Sequence, residues 1–178
     1  MSQPIDPKVA EVFADPMFPF TTDRTIKPLD PPVVPEPARL GEGQVDCYAC
    51  AQPDDLFIWT DDDWRLRAYT PTPIRGAVLL ETREHHESVS DLPQQLMTEL
   101  GPIIARIERA ILGIGDVARV HLNRWGDGGE HFHLWFLPRP LGALQLRGSA
   151  LTMWMDVLPP LPDEDVDAAL AAIVKGLG

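Results

Sequence analysis

The chain has 178 residues, 44% of them hydrophobic, a formal net charge of −12 and a sequence pI near 4.7. That length and apolar share suffice for one domain with its own core. A chain this acidic gains no general attraction to nucleic acid or to an anionic membrane surface, and no apolar run reaches the roughly 18 residues of a membrane span.

The first residues, MSQPIDPKVAEVFADP, lack the basic-then-apolar order of a secretory leader. The expectation is a cytoplasmic protein whose partner is a small molecule, with no nucleic acid and no membrane involved. Any phosphate must be held by local donors. Between His121 and Gly148, Arg124, Arg139 and Arg147 outnumber Asp127 and Glu130 by one charge, so that stretch tolerates an anion.

Nine of the nineteen prolines fall in the first 37 residues. Proline has no N–H to give to a ladder, so residues 1–44 read as a Pro-rich extended arm with one short helix near Lys8–Ala14. Such an arm either packs over the domain or a neighbouring subunit, or trails as a loose tail. Residues 45–178 form the folded domain.

Asp55–Thr60 and Trp64–Tyr69 read as strands around the acidic turn Asp61-Asp62-Asp63, and Gly76–Thr82 as a third, more buried strand. Ser90 and Asp91 are candidate N-caps for a long helix. Leu96, Met97, Leu100, Ile103, Ile104, Ile107 and Ile111 follow at helical spacing. Gly101-Pro102 should kink or divide that helix, and Gly113 should stop it. Val117–Asn123 and His131–Leu137 read as two more strands. Asp163, Glu164 and Asp165 favour the start of a C-terminal helix with Val166, Leu170, Ile173 and Leu177 on one face. The order predicts an α+β fold with a mainly antiparallel sheet, one long helix and a C-terminal helix.

The only cysteines, Cys47 and Cys50, are too close in sequence to staple a fold. Their spacing suits a metal or a redox pair. A tetrahedral zinc needs two further ligands, for which His85, His86, His121, His131 and His133 are candidates. His131 and His133 alternate along one expected strand and so share a face with Trp135, while Phe132, Leu134 and Phe136 point into the core. The preceding loop, Asn123 to Glu130, holds Gly126, Gly128 and Gly129, whose backbone N–H groups can approach an anion closely. The same glycines also suit a plain hairpin turn.

With these residues together the chain resembles the histidine-triad superfamily, in its zinc-containing branch related to galactose-1-phosphate uridylyltransferase. That family carries His-φ-His-φ-His, with φ apolar, or Gln third in the transferase branch. Here the run is His131-Phe132-His133-Leu134-Trp135. Upstream, Gly76 to His85 keeps the length of the family's Gly-His-x-Leu-Val-Ile-Pro-x-x-His stretch, and His86 to Leu92 keeps its continuation to Asp-Leu. Cys47 and Cys50 fall where zinc-bearing members place Cys-x-x-Cys. The match spans residues 45–140 as a set of motifs.

The resemblance implies a histidine-triad-like fold and a structural zinc held by Cys47, Cys50, His85 and His131. It makes His133 the nucleophile that becomes a nucleotidyl-histidine. Asn123, Gly126, Gly128, Gly129, Trp135 and Arg139 would contact the substrate, a nucleotide or other phosphorylated small molecule. It also implies a homodimer. The chain departs from the family at Trp135, at Ala77 and Thr82, and at Tyr69, near the place where many members carry a ribose-binding Asp. The readings therefore rank as a nucleotidyl hydrolase or transferase, then a catalytically degenerate zinc-stabilised nucleotide- or phosphate-binding protein, then a redox protein using the two thiols.

Overall fold

The computed structural model describes residues 31–178. The helix expected near Lys8–Ala14 and most of the Pro-rich arm lie outside the described residues. No helix among the described residues is long and apolar enough to cross a membrane.

The fold is α+β, as the sequence predicts. Five strands form one antiparallel sheet in the order β1-β2-β3-β5-β4: β1 is Trp59–Thr60, β2 Trp64–Ala68, β3 Val78–Thr82, β4 Val117–Asn123 and β5 His133–Pro140. Among the described residues the helices are α1 (Tyr48–Ala51), α2 (Gln94–Leu112), α3 (Ala150–Met155) and α4 (Asp163–Leu177).

Strand period sorts the sheet's side chains onto two faces. Leu66, Val78, Leu80, Leu134 and Phe136 pack with Ile103, Ile107 and Ile111 of α2 and Ile173 and Leu177 of α4 in the main core. Phe132, Leu134 and Phe136 are buried, as the alternation predicts. On the opposite face a smaller core joins Ile74, Ala77 and Leu137 to Leu146 and Leu151. Its covering helix α3 has no clear signal in the sequence, because a six-residue helix is too short to show a period.

Several expected boundaries move. Only Trp59 and Thr60 of the segment Asp55–Thr60 are in a strand. Asp54–Leu56 makes a 3-10 turn instead, where Asp54 pairs with Arg83 at 2.8 Å. Asp61 Oδ1 accepts the N–H groups of Asp63 (3.0 Å) and Trp64 (2.7 Å), which closes the acidic β1–β2 turn. Ser90 and Asp91 do not cap α2. They lie in a 3-10 turn, Asp91 Oδ2 accepts the Glu87 N–H at 3.0 Å, and Pro93 is the N-cap.

Gly101-Pro102 does not divide α2, which runs unbroken to Leu112. Both residues face solvent, so water can satisfy the carbonyl that Pro102 leaves without a donor. Met97 is exposed rather than in the core. The strand expected to open at His131 begins at His133.

Gly76, at the entry to β3, has φ +75°, and a Cβ there would lie 2.6 Å from Ile114 Cδ1. The positive φ strains any L side chain there, and the terminal methyl of Ile114 must also move aside. Gly76→Ala is expected to destabilise the fold by about 2 kcal/mol or more, read as a lower urea midpoint with an unchanged m-value.

Candidate metal centre and site face

The two cysteines are set by a short, heavily tied segment. Cys47 is the N-cap of α1 and is buried; Cys50 lies one turn on. Arg65 of β2 is 3% exposed and holds the end of this helix. Its guanidinium donates to Ala49 O (2.9 Å) and Gln52 O (3.3 Å) and stacks over the Phe57 ring at 4.4 Å. Ala49 O also accepts the Gln52 N–H that closes the helix, so Arg65 reinforces its C-terminal end.

His85 follows β3 and His131 precedes β5. Both bring Nδ1 to the thiols: Cys47 Sγ to His131, Cys50 Sγ to His131 and Cys50 Sγ to His85 are each 3.5 Å. All four ligand atoms lie within 4.8 Å of one another. A tetrahedral zinc with bonds of about 2.3 Å to sulfur and about 2.0–2.1 Å to nitrogen separates neighbouring S and N ligands by about 3.5 Å. The donor set therefore matches such an ion in kind and spacing.

Of the other ring nitrogens, that of His131 is hydrogen-bonded as a ligating histidine requires, and that of His85 is buried with only a carboxylate nearby. His131 Nε2 donates to Thr82 O at 2.8 Å, and His85 Nε2 lies 3.5 Å from Glu87 Oε1. Burial, more than any other cause, pulls the His131 pKa down, which favours the neutral, ligating form. Burial first, then the Cys47 thiol, pushes the Cys50 thiol up to about 11. A bound dication supplies the charge that reverses this and holds the sulfur as thiolate.

His86 is not part of the cluster. Its carbonyl accepts the Phe132 N–H, and its ring lies 3.8 Å from Asp91. The four candidate ligands join the α1 turn to the segments flanking β3 and β5.

His133 opens β5 on the face opposite the main core. Its Nδ1 donates to His131 O at 2.7 Å, so Nε2 is the nitrogen left free. Strand register places Glu81 beside His133, and both Leu79 and Asn123 beside Trp135. A cavity of about 210 Å3 lies before His133, walled by Leu79 and Glu81, by Tyr48 and Leu40, and by Gly128 and Gly129. A Cβ at Gly128 or Gly129 would meet nothing within 4 Å, so both glycines border open space.

Trp135 shares the His133 face, with ring centroids 6.5 Å apart, but it lines a second recess rather than this cavity. Arg139 is not brought to the site. It stands six residues along β5 from His133, about 20 Å at strand rise, and donates to Ala143 O at 3.3 Å. His121 lines neither recess; burial, then Arg139, lowers its pKa.

Three features of the site go beyond the residues singled out in the sequence. Glu81 is 5% exposed and takes a two-pronged bond from Arg67, at 2.8 and 3.0 Å, on the cavity floor. An acid inside the apolar run GAVLLET, with a base at alternate positions on the preceding strand, is the signal that would have found it. Removing one partner of a buried pair strands the other charge. Arg67→Met is expected to cost about 3 kcal/mol in urea unfolding, and Arg67→Met with Glu81→Leu to recover most of it.

The second feature is the last part of the arm. Arg39 Nη1 donates to Gly126 O at 2.9 Å, and its Nε pairs with Glu130 at 2.5 Å. Leu40 bridges Gly129, and Gly43 N–H donates to Glu87 Oε1 at 2.7 Å. These bonds lay the end of the arm over the glycine loop and beside the metal cluster. The third is the aromatic recess formed around Trp135.

No family model and no curated protein sequence matches the chain. Solved structures do. A Zn-bound histidine triad family protein from Mycobacterium smegmatis is 20% identical, covering 72% of this chain and 94% of that one with a TM-score of 0.53. A histidine triad protein from Sinorhizobium meliloti is 16% identical, covering 68% and 89% with a TM-score of 0.56. A Hit-like protein from Bartonella henselae, described as involved in cell-cycle regulation, is 14% identical, covering 68% and 86% with a TM-score of 0.52. At these identities the likeness is one of fold.

Proposed function

From a chain that has the histidine-triad fold, we propose an enzyme that hydrolyses or transfers a nucleotidyl group through a covalent nucleotidyl-His133. The observation that carries this reading is the His133 tether. A neutral imidazole whose Nδ1–H is bound to a carbonyl presents the Nε2 lone pair, the tautomer a nucleophile needs, toward a cavity edged by glycines.

In the proposed reaction, Nε2 forms a bond to the α-phosphorus as the bond to the leaving group breaks. Water or a second acceptor then cleaves the P–N bond and restores the imidazole. Gly128 and Gly129 would give backbone N–H donors to the phosphoryl oxygens, where charge develops. Asn123, at the end of β4 beside Trp135, would position the phosphate from the next strand.

Zinc is the metal we propose for Cys47, Cys50, His85 and His131. Four protein ligands leave no open position, so it would supply structural cross-linking and no Lewis acidity. Placement in the uridylyltransferase-related branch rests on this Cys-x-x-Cys pair, and homodimerisation and a cytoplasmic site of action are proposed with it.

A second reading, a zinc-stabilised phosphate-binding protein without turnover, is favoured by Trp135. An indole N–H donates but accepts no proton, and the ring is packed against Tyr69 and Trp125. The test is incubation with adenylyl and uridylyl donors labelled at the α-phosphorus. An acid-labile, base-stable adduct mapping to His133 is the expected result. Donor binding with no adduct and no product would establish the second reading instead.

A further inference from the structure

A recess of about 300 Å3 lies across Trp135 from the nucleophile. Three rings wall it. Tyr69 and Trp135 have centroids 4.9 Å apart at 70°, and Trp125 and Trp135 are 5.9 Å apart at 67°. Met155 and Asp156, at the end of α3, close one side. No lysine, arginine or histidine is among the lining residues. Asp156 is exposed and forms no ion pair among the described residues. Trp125 at the mouth is 42% exposed.

Steeply inclined rings present π faces in different directions, and each face attracts a cation. A single carboxylate with no base beside it adds the same preference. A phosphate or pyrophosphate tail would find the opposite: aromatic faces, one carboxylate and a chain of net charge −12. Trp135 stands between this recess and His133, with 6.5 Å between the two rings. Trp135 is thus the side chain that links the recess to the strand position of the nucleophile.

We infer that this recess is the leaving-group subsite and that it takes an organic ammonium. The inference rests on the reading of His133 as the nucleophile. The substrate class is then a nucleoside monophosphate esterified to an amino alcohol. In the first half-reaction the P–N bond to His133 forms and the P–O bond to the alcohol breaks. The departing alkoxide takes a proton from solvent; in the second half-reaction water's hydroxyl goes to phosphorus as the P–N bond breaks, and water's other proton returns to solvent. The ammonium charge is unchanged throughout, so the free amino alcohol should also bind.

That last point gives a test independent of turnover. The zinc-loaded full chain is titrated calorimetrically with choline and with its neutral isostere 3,3-dimethylbutan-1-ol. Choline is expected to bind about tenfold more tightly, and the preference to fall below about twofold in Asp156→Asn and in Trp125→Leu. Equal or tighter binding of the neutral alcohol, or no binding of choline, would overturn the inference. Two variants on different elements keep the test valid if one misfolds.

The matching nucleoside monophosphate esters of the two alcohols are then compared as substrates. A KM about tenfold lower for the choline ester, lost in Asp156→Asn, supports the assignment. Choline binding with turnover of neither ester would leave a cation recess but overturn its role as a leaving-group subsite. An adduct at His133 formed equally from both esters would uphold the nucleophile and overturn the ammonium preference.

Discussion

His133→Ala is expected to abolish the covalent intermediate and to lower turnover by on the order of 10^4-fold or more, while zinc content and the thermal midpoint stay close to wild type. The size follows from removing a nucleophile that splits one hard displacement into two easier ones. The selectivity follows from geometry. His133 contributes no ligand atom to the metal cluster; it touches that cluster only through the carbonyl of His131. His131→Ala should behave in the opposite order. It removes a ligand and the anchor to Thr82 O, so zinc and stability are lost first and activity falls as a consequence. Matched kinetics and metal analysis on the two variants separate residues two apart in sequence. If His133→Ala kept wild-type turnover, the covalent route would be wrong.

Loss of the metal is expected to be the largest single blow to stability. The described segment before β1 brings little apolar burial of its own: α1 is four residues long, and among its own residues only Ala49 is buried, so the four ligands add to the polar ties made by Arg65, Arg39 and Gly43. The four ligands join that turn to residues on either side of β3 and β5. A ligand that binds only the folded state stabilises it by about 2.7 kcal/mol at a hundredfold excess over Kd. For a domain of this size that corresponds to about 5–10 °C in Tm. Cys50→Ala, or wild type treated with a strong chelator, should fall by at least that much in differential scanning calorimetry.

Zinc should restore the midpoint of the chelated wild type and not that of the variant. The pH dependence has a definite sign. Burial and the Cys47 thiol hold the Cys50 proton up to about 11, so metal binding near neutrality must release it. Apparent zinc affinity should therefore rise with pH, by about tenfold per unit for each proton released. An affinity independent of pH from 6 to 8 would contradict thiolate ligation.

The sequence exposes the strongly periodic parts of this fold and the residues whose chemistry is intrinsic. The long helix shows itself because Ile103, Ile107 and Ile111 recur at one turn apart and face the sheet. The strand with Leu134 and Phe136 inward, preceded by the buried Phe132, shows itself by alternation. Cys47, Cys50, His85 and His131 are identifiable because the motif of the family the sequence resembles fixes their order, and the geometry brings their ligand atoms together.

What stays hidden is set by contacts distant in sequence. Arg139 looks suitable for an anion because arginine usually is, but register along β5 carries it away from His133. Pro102 looks like a helix breaker, yet both it and Gly101 are on the wet side of α2. The Arg67–Glu81 pair, the Arg39 strap and the recess around Trp135 each need two or more segments placed side by side. Of these, the ion pair leaves a trace in the sequence, an acid in an apolar strand beside alternating arginines, but the partners of the strap and the walls of the recess leave none.

The central claim is that two alternate residues divide their work, His131 gripping a metal and His133 facing phosphorus. A crystal structure of the zinc-loaded protein with a non-hydrolysable nucleoside monophosphate ester tests it most directly. The account predicts one ion bound by Cys47 Sγ, Cys50 Sγ, His85 Nδ1 and His131 Nδ1, and the α-phosphorus within about 3–3.5 Å of His133 Nε2. A metal bound through His133, or a phosphate seated away from it, would contradict the account.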